Sequence, residues 1–314
     1  DDIVINTHFI GHGCTATYFV DKDCDGYGVG VRADGDYSAD GVVGRLGDMS
    51  DADDNDANVN TPESVIARYG TIENFLINVK GHTPDDIYYI AADGNDANTG
   101  GASDPFATWE RVDDIMGPGD VLIYREGTYY DPGIAALYSP FDGGTAENPV
   151  LFMPYPGERV VFDAVNSAFH TAEMPWATID GFIIDNTRNR PWGYGMTLHE
   201  AQHVTIRNIE ITNFNFVHGS QDHNDFLIED SVFHDMYEHG LYLATRDLPS
   251  SNITIKDNIF YRNGRGGGYG AIQFNGRADN LIVENNIMHS NHQWAVSLKQ
   301  GVSNSIIRNN LMFN

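Results

Sequence analysis

A repeat begins near residue 177 and continues to the last residue of the sequence. Each copy has apolar residues on either side of one intervening residue, then a charge, then Asn or Asp, then apolar residues again. Six segments align in this way: 177–186, 204–213, 226–235, 253–262, 281–290 and 305–314. Their spacings of 27, 22, 27, 28 and 24 residues are solenoid periods, too short for each copy to bury its own core. The sequence therefore predicts a stack of coils.

The coils are predicted to consist of strands. Alternation such as Ile253, Thr254, Ile255 is typical of a strand, and the Asn and Gly clusters between the apolar segments indicate turns. Most repeats contain two such segments, for example 270–275 with 281–284. This pattern predicts a parallel β-helix whose coils stack about 4.8 Å apart.

The charged position supports this register. If the repeats stack, each charge has opposite charges above and below it, an arrangement worth about 0.2–1 kcal/mol per pair, whereas like charges would repel. The position reads, in order, Asp180, Arg207, Glu229, Lys256, Glu284 and Arg308. The alternating sign favours stacking of these residues outside the coil.

Asparagine recurs beside the charged position, at Asn258, Asn286 and Asn310. A ladder of side-chain amides inside the coil would satisfy turn backbone that otherwise faces an apolar interior. The alternative is that Asn serves only the turns, which it suits conformationally.

The first 60 residues differ from the rest, because they contain 13 Asp and no Glu, with Asp at alternate positions in two runs. Such spacing lets several carboxylates of one tight loop face a hard cation, and a neighbouring Gly allows the sharp bend. We therefore predict a Ca²⁺ site with these ligands: Asp21, Asp23, Asp25, Asp51, Asp53 and Asp56. The alternative is a solvated acidic linker.

The run Asp21-Lys-Asp-Cys-Asp-Gly-Tyr-Gly28 resembles the thrombospondin type 3 repeat and the start of an EF-hand loop. Its twelfth position is Arg32 where an EF-hand has a bidentate Glu, so the second Asp run would have to close the site. Cys14 and Cys24 are close enough in sequence for a disulfide that pins this loop. Two buried free thiols are the alternative, and the oxygen ligands around Cys24 disfavour zinc.

Composition predicts an extracellular protein, secreted or at a cell surface. The net charge of -27, from 45 acidic and 18 basic residues, disfavours nucleic acid and anionic lipid, and also polyuronic acids unless a metal bridges them. No run of 18 apolar residues predicts a membrane span, and the opening Asp1 and Asp2 resemble a mature or trimmed end. We divide the chain into 1–62, an Asp-rich calcium-binding module, 63–85, a short helix and linker, and 86–314, the β-helix.

Three stretches after residue 86 follow the order strand, helix, then turn and strand. They begin at Ile87 (Ile-Tyr-Tyr-Ile-Ala-Ala-Asp-Gly-Asn-Asp), at Asp104 (Asp-Pro-Phe-Ala-Thr-Trp) and at Gly117 (Gly-Pro-Gly-Asp-Val-Leu-Ile-Tyr-Arg-Glu-Gly-Thr-Tyr). Residues 86–314 thereby resemble the pectate-lyase-like right-handed β-helix superfamily. The resemblance implies an all-β, right-handed parallel β-helix with a short capping helix before its first coil. It leaves function open, since lyases, hydrolases, epimerases, tailspikes and adhesins share the fold.

One outward face of the coils is the candidate site. If Leu241, Leu243 and their counterparts point inward, two outward rows follow. The first contains Tyr242, Gln273 and Ser297, extended by Thr197, and the second contains His199, Ala244, Asn275 and Lys299. We predict that Tyr242, Gln273, His199 and Asn275 contact substrate. Aromatic residues suited to sugar stacking are Tyr194, Trp192, Tyr242, Tyr269 and Trp294, although core packing is the commoner role of such residues.

The chemistry of this face is less determined. A calcium-dependent polysaccharide lyase needs a base for the sugar C5 proton and a cation for the uronate, and Lys299 and Arg246 are the candidates. Asp222 and Asp225 are the nearest acids, and the rows contain no adjacent carboxylate pair of the kind that a glycoside hydrolase uses. The many histidines lack a repeated metal-ligand spacing.

Two functions follow. One is a β-helix that binds, and in a stronger form cleaves, an extracellular polysaccharide or cell-surface glycan. The other is a structural or adhesive protein whose β-helices assemble into a fibre. The second expectation rests on the last rung, 306–312, where an open edge would favour self-association or a longer chain.

Overall fold

A computed structural model describes residues 61–130, 143–164, 167–170, 174–186, 193–220, 223–245, 250–299 and 301–313. Within these residues the strands form three parallel sheets of ten, eight and six strands. Successive coils contribute one strand to each sheet, which confirms the predicted parallel β-helix. The Asp-rich segment with Asp21, Asp23, Asp25, Asp51, Asp53 and Asp56, the pair Cys14 and Cys24, and Arg246 lie outside the described residues.

The strands have the following bounds. Sheet 1 contains β1 Ile87–Ile90, β2 Val121–Tyr124, β4 Val150–Pro154, β7 Ala177–Asp180, β10 Thr205–Arg207, β13 Asn224–Glu229, β16 Ser250–Lys256, β19 Ala278–Glu284, β22 Val302–Ser303 and β23 Ile306–Arg308. Sheet 2 contains β3 Gly127–Tyr130, β5 Val160–Asp163, β8 Ile183–Asp185, β11 Glu210–Thr212, β14 Val232–His234, β17 Ile259–Tyr261, β20 Ile287–His289 and β24 Leu311–Phe313. Sheet 3 contains β6 Phe169–His170, β9 Tyr194–His199, β12 Phe216–Ser220, β15 Leu241–Ala244, β18 Ile272–Asn275 and β21 Val296–Lys299.

A short turn joins sheet 1 to sheet 2 in almost every coil. Its first residue has a positive φ, as at Asn208 (53°), Asp257 (58°) and Asn285 (58°). Asn and Asp tolerate this left-handed conformation better than other side chains do, which explains why the repeat has them immediately after the charge.

The predicted asparagine ladder is present in these turns. Asn258 donates from its backbone N and its Nδ2 to Oδ1 of Asn286, both at 3.0 Å, and Asn286 does the same to Asn310 at 2.9 Å. Asn258 and Asn286 are fully buried. The sequence analysis missed a second ladder, which lies in the segments between sheets 2 and 3. There Nδ2 of Asn263 donates to Oδ1 of Asn291 in the next coil at 3.0 Å. The ladders satisfy backbone groups that would otherwise be unpaired inside the coil.

The alternating charges also stack as predicted. Each charged residue is in register with the next along sheet 1. Ion pairs join Arg207 to Asp180 (2.9 Å), Lys256 to Glu229 (2.7 Å) and Arg308 to Glu284 (2.6 Å).

The stretch predicted as one helix and a linker contains α1 Pro62–Tyr69, α2 Ile72–Phe75 and a π-helical turn Leu76–Lys80. These elements lie on the outer side of sheet 1. Val65, Phe75 and Leu76 form one buried cluster with Val121 and Ile123 and with other residues of the first strands. Lys80 adds an ion pair to Asp180 at 3.1 Å. No helix in the described part of the chain is both long and apolar enough to cross a membrane.

The main core lies inside the coil. Helix α3 Trp109–Asp113 contributes Trp109 and Val112 to it, as expected of the short helix before the first coil. Leu241, Leu243 and Phe274 point inward as predicted. Leu298 occupies the corresponding position but is 41% exposed, because β21 is an edge strand of sheet 3 among the described residues.

Candidate functional site

The first outward row of sheet 3 has the predicted register. Thr197, Tyr242, Gln273 and Ser297 occupy equivalent positions on successive strands. The structure adds two members, His170 on β6 and His218 on β12. We call this outward side of sheet 3, together with the turn residues that fold over it, the sheet 3 face.

The second row contains His199, Ala244, Asn275 and Lys299, again as predicted, and Ser220 completes it. Nδ1 of His199 lies 3.0 Å from Oγ of Ser220. The sequence analysis missed His218 and Ser220 because the pairing of β12 with β9 shifts between Phe216 and His218. The spacing of the apolar residues alone does not reveal such a shift.

Aromatic rings cover much of the sheet 3 face. The Tyr242 ring centroid lies 5.4 Å from that of Phe216 and 5.5 Å from that of His239. His239 in turn contacts Tyr269 at 5.0 Å and Trp294 at 5.9 Å. Tyr242, Tyr269, Trp294 and Tyr194 were predicted from sequence, whereas Trp192 lies outside the described residues. These rings give the face the apolar surfaces on which sugar rings can stack.

Three polar atoms of the face have no hydrogen-bond partner among the described residues. They are Oε1 of Gln273, Nε1 of Trp294 and Nδ1 of His170, each shielded from solvent. By contrast, the Tyr242 hydroxyl accepts a hydrogen bond of 2.8 Å from Nδ2 of Asn275 and still has its own hydrogen to donate. Buried polar atoms without partners are costly, and a polar ligand on this face would offer partners to these three.

Lys299 is the one lysine of the described residues without a carboxylate partner. Lys80 and Lys256 both have such a partner within 3.1 Å. The Lys299 ammonium instead lies 5.8 Å from the centre of the Trp294 ring and is exposed. Among the described residues, neither outward row of sheet 3 contains a carboxylate. In a chain of net charge -27, the described residues of these two rows therefore carry no negative charge of their own.

Burial keeps two imidazoles of the face neutral at neutral pH. Desolvation, with a smaller contribution from the charge of Lys299, lowers the pKa of His239 to about 4. Desolvation also lowers the pKa of His170 to about 4, with smaller contributions from His199 and His218. His239 accepts a hydrogen bond at Nδ1 from the backbone N of Gly270 at 3.5 Å.

The acids expected near the face are elsewhere. Asp225 lies near the start of β13 in sheet 1, with Oδ2 3.3 Å from Nδ1 of His203, and Asp222 lies outside the described residues. Glu200 approaches the second row, with Oε1 3.7 Å from Nε2 of His199. In the described part of the chain, no three Asp, Glu, His or Cys side chains are arranged to hold a metal ion.

Sheet 2 has an acid cluster that the sequence analysis missed. Asp163 and Asp185 are in register, and buried Glu210 lies 3.0 Å from Nε2 of His234. Burial alone would lower the pKa of His234, but hydrogen bonds to Asp235 and Glu210 outweigh it and raise the pKa. Because Glu210 and His234 are buried and paired with each other, this cluster stabilises the coil rather than forming an open groove.

Comparison with known structures agrees with the fold. A lacto-N-biosidase of family GH136 from Eubacterium ramulus is 12% identical, with a TM-score of 0.51 over 72% of this chain and 56% of that protein. The complex of XylC with xylose is 12% identical, with a TM-score of 0.53 over 71% of this chain and 62% of that protein. The chain therefore spans less than two thirds of either protein. No curated protein matches it.

The family model described as the Pel9A-like, right handed beta helix region matches residues 88–278. This range begins in β1 and includes five of the six strands of sheet 3. The chain belongs to the Pel9A-like right-handed β-helix family.

Proposed function

We propose that the protein binds an acidic extracellular polysaccharide along the sheet 3 face. The observation that carries this proposal is the pair of outward rows, which combine aromatic rings with polar atoms that have no partner in the described part of the chain. Coils stack about 4.8 Å apart, so the six strands of sheet 3 form a surface about 24 Å long. Such a surface suits a linear ligand that runs parallel to the coil axis.

The unpartnered atoms suit hydroxyl groups. Oε1 of Gln273 can only accept a hydrogen bond, and Nε1 of Trp294 can only donate one. A sugar hydroxyl both donates and accepts, so a sugar can satisfy both kinds of atom. The apolar faces of its ring can meanwhile stack on Trp294 or Tyr242.

The acidic character of the ligand follows from the charges. Lys299 is exposed and has no carboxylate partner among the described residues, so a uronate can pair with it without displacing one. Arg246, which lies outside the described residues, is proposed as a second cation. The names of the two similar structures refer to a glycosidase and to a xylose complex, which makes a glycan ligand a reasonable expectation.

Binding of defined oligosaccharides, measured by calorimetry, tests this proposal. Oligouronates should bind the wild-type protein, and Trp294→Ala and Lys299→Gln should each weaken binding about tenfold or more, equivalent to about 1.4 kcal/mol. The matched control for charge is Arg308→Gln, which removes an exposed cation of sheet 1. Equal affinities for wild-type, Trp294→Ala and Lys299→Gln proteins would disprove the assignment of the face.

Cleavage by β-elimination is a second candidate, favoured by the position of Lys299 in the outward row. The reaction removes the proton on C5 of a uronate, forms a double bond between C4 and C5, breaks the bond from C4 to the glycosidic oxygen and returns a proton to that oxygen. Lys299 would accept the C5 proton, and Arg246 would neutralise the uronate.

Release of unsaturated product, followed by ultraviolet absorbance with Ca²⁺ present, tests cleavage. Lys299→Ala should abolish release without lowering the melting temperature. Binding without any product from the wild-type protein on a panel of polyuronates would leave a binding function alone.

We also propose that residues 1–62 bind Ca²⁺ and that a Cys14–Cys24 disulfide pins the loop. The support is the sequence pattern, since these residues lie outside the described ranges. Calorimetric titration of the intact chain with Ca²⁺ should show binding that Asp23→Asn with Asp25→Asn removes. Absence of any heat of Ca²⁺ binding would exclude the calcium site.

Alkylation of the unreduced protein tests the disulfide. The mass should not increase, because both cysteines are oxidised, and addition of two alkyl groups would exclude the Cys14–Cys24 bond.

A further inference from the structure

Imidazoles are concentrated on the sheet 3 face. His170 and His218 are in the first outward row on either side of Thr197, and His199 is in the second row beside Ser220. His239 projects from the preceding turn over the same face, with its ring stacked 5.5 Å from that of Tyr242. One surface thus combines four histidines with Lys299.

Few of the described groups that face these imidazoles are charged. The His218 ring lies 4.9 Å from the Tyr194 ring and 6.0 Å from the Tyr242 ring. Glu200 reaches within 3.7 Å of His199, but its side chain is 44% exposed, so solvent weakens this pair. Glu238 directly precedes His239 and is hydrogen-bonded to Asn215, and burial raises the pKa of Glu238.

The imidazoles and Lys299 oppose one another's positive charge. After desolvation, the charges of His199 and His218 are the next cause of the lowered pKa of His170, and Lys299 has this role for His239. His223 is fully buried behind the face. Desolvation, with smaller contributions from the charges of the same two histidines, lowers the pKa of His223 to about 3. A proton on one imidazole therefore disfavours a proton on the next.

We propose that binding of an anionic glycan on the sheet 3 face is coupled to proton uptake by His170 and His239, so that affinity increases as pH falls. This inference rests on the proposed function and adds its regulation. An anion placed between the imidazoles and Lys299 offsets their mutual repulsion and stabilises the protonated forms. By linkage, protonation must then strengthen anion binding by the same free energy.

The sign of the pH dependence follows from the lowered pKa values. His170 and His239 are neutral at pH 7 in the free protein and gain a proton only near pH 4, so the window lies between this pH and about 6.5, the ordinary pKa of histidine. A bound anion raises these pKa values, so the complex holds more protons than the free protein in this window. One proton taken up per ligand corresponds to about a tenfold gain in affinity per pH unit.

The probe is a sulfated oligosaccharide, whose charge stays constant over this pH range, compared with its unsulfated form. Calorimetry of the wild-type protein at pH 5 in two buffers of different ionisation enthalpy gives the number of protons taken up. We expect uptake of at least about half a proton and a gain in affinity of about threefold or more per pH unit between pH 7 and 5. The unsulfated form should show neither effect.

Two variants locate the effect and one controls for it. His170→Gln and His239→Gln should each reduce proton uptake and flatten the pH dependence. His203→Gln should leave both unchanged, because His203 pairs with Asp225 and stacks on Trp176 outside the two rows. Since the wild-type measurement needs no variant, a variant that fails to fold does not remove the test.

The possible results separate the two ideas. Binding of the sulfated glycan without proton uptake, and with the same affinity at pH 7 and 5, overturns the coupling but leaves the proposed function. Preference for the unsulfated form at every pH also overturns the coupling. No binding of any sulfated, uronate or neutral oligosaccharide at any pH overturns the proposed function itself.

Discussion

The outer faces of sheets 1 and 3 are built on the same coils but differ in whether their polar side chains have partners within the protein fold. On sheet 1, from β7 to β23, each residue at the repeated charged position has a partner of opposite sign on an adjacent strand. On the sheet 3 face, the described residues provide no hydrogen-bond partner for Oε1 of Gln273 or Nε1 of Trp294, and no carboxylate partner for Lys299.

This difference separates structural from functional roles. Stacked opposite charges hold adjacent coils in register and leave little unsatisfied capacity for a ligand. Unpaired polar atoms cost stability, and they persist where a ligand can satisfy them. Substitutions on sheet 1 should therefore change stability, and substitutions on the sheet 3 face should change binding.

The largest effect is expected at Asp180. Its side chain is buried and pairs with both Lys80 and Arg207, so Asp180→Leu leaves two cations without their anion. Removing one partner of a buried ion pair costs about 3 kcal/mol or more. Chemical denaturation should show this loss, while the affinity of the folded protein for oligouronate should stay unchanged. A large fall in affinity would mean that the two faces are not independent.

Acid should remove the same contribution in the wild-type protein. Burial alone would raise the pKa of Asp180, but Lys80, Arg207 and a hydrogen bond from Asn208 lower it to about 2. Because the folded pKa lies below the unfolded one, the stabilisation is complete above about pH 4 and is lost towards pH 2, by about 2 kcal/mol. Denaturation curves of wild-type and Asp180→Asn proteins should therefore converge over this range. A constant difference down to pH 2 would contradict the pairing.

Gln273→Leu should have the opposite combination of effects. Gln273 is 4% exposed and its Oε1 has no partner among the residues that the structure describes, so an apolar side chain of similar size removes a buried unsatisfied group. We expect the free energy of unfolding to rise by about 1 kcal/mol and oligosaccharide affinity to fall about tenfold. Denaturation and calorimetry on the same preparation measure both. A less stable variant with unchanged affinity would place Gln273 with the structural residues of sheet 1.

The smallest effect is expected at Glu284→Gln. Its partner Arg308 is 56% exposed, so solvent screens the pair, which should contribute less than about 1 kcal/mol. Raising the salt concentration should reduce the difference from wild type further. A loss as large as that at Asp180 would show that burial does not set the strength of the sheet 1 pairs.

The parts of the fold predicted from sequence are those with constant spacing. The turn from sheet 1 to sheet 2 has the same length in most coils, so Asp180 and Arg207, or Asn258 and Asn286, could be aligned directly. Asn263 and Asn291 have the same separation as Asn258 and Asn286, and this signal could have revealed the second ladder.

The parts that were missed depend on irregular segments. His170, His218 and His239 belong to the sheet 3 face, but the segments between sheets 2 and 3 differ in length and β12 contains a shift in pairing. The contact of the helices at 62–80 with sheet 1 involves residues far apart in sequence, for which the repeat offers no alignment. The roles of Lys299, Arg246, Tyr242, Gln273, His199 and Asn275 remain predictions.

The unequal turns also bear on how such a protein can change over evolution. The segment between sheets 2 and 3 ranges from residues 213–215 in one coil to 262–271 in another, and it leads directly onto the sheet 3 face. The sheet 1 charges and the ladder of Asn258 and Asn286 lie elsewhere in each coil, and the second ladder uses only Asn263 at the start of the longer segment. Insertions after Asn263 can therefore reshape the rim of the face while the stack below stays intact, and loop grafting between 265 and 271 is the natural route to a new specificity on this scaffold.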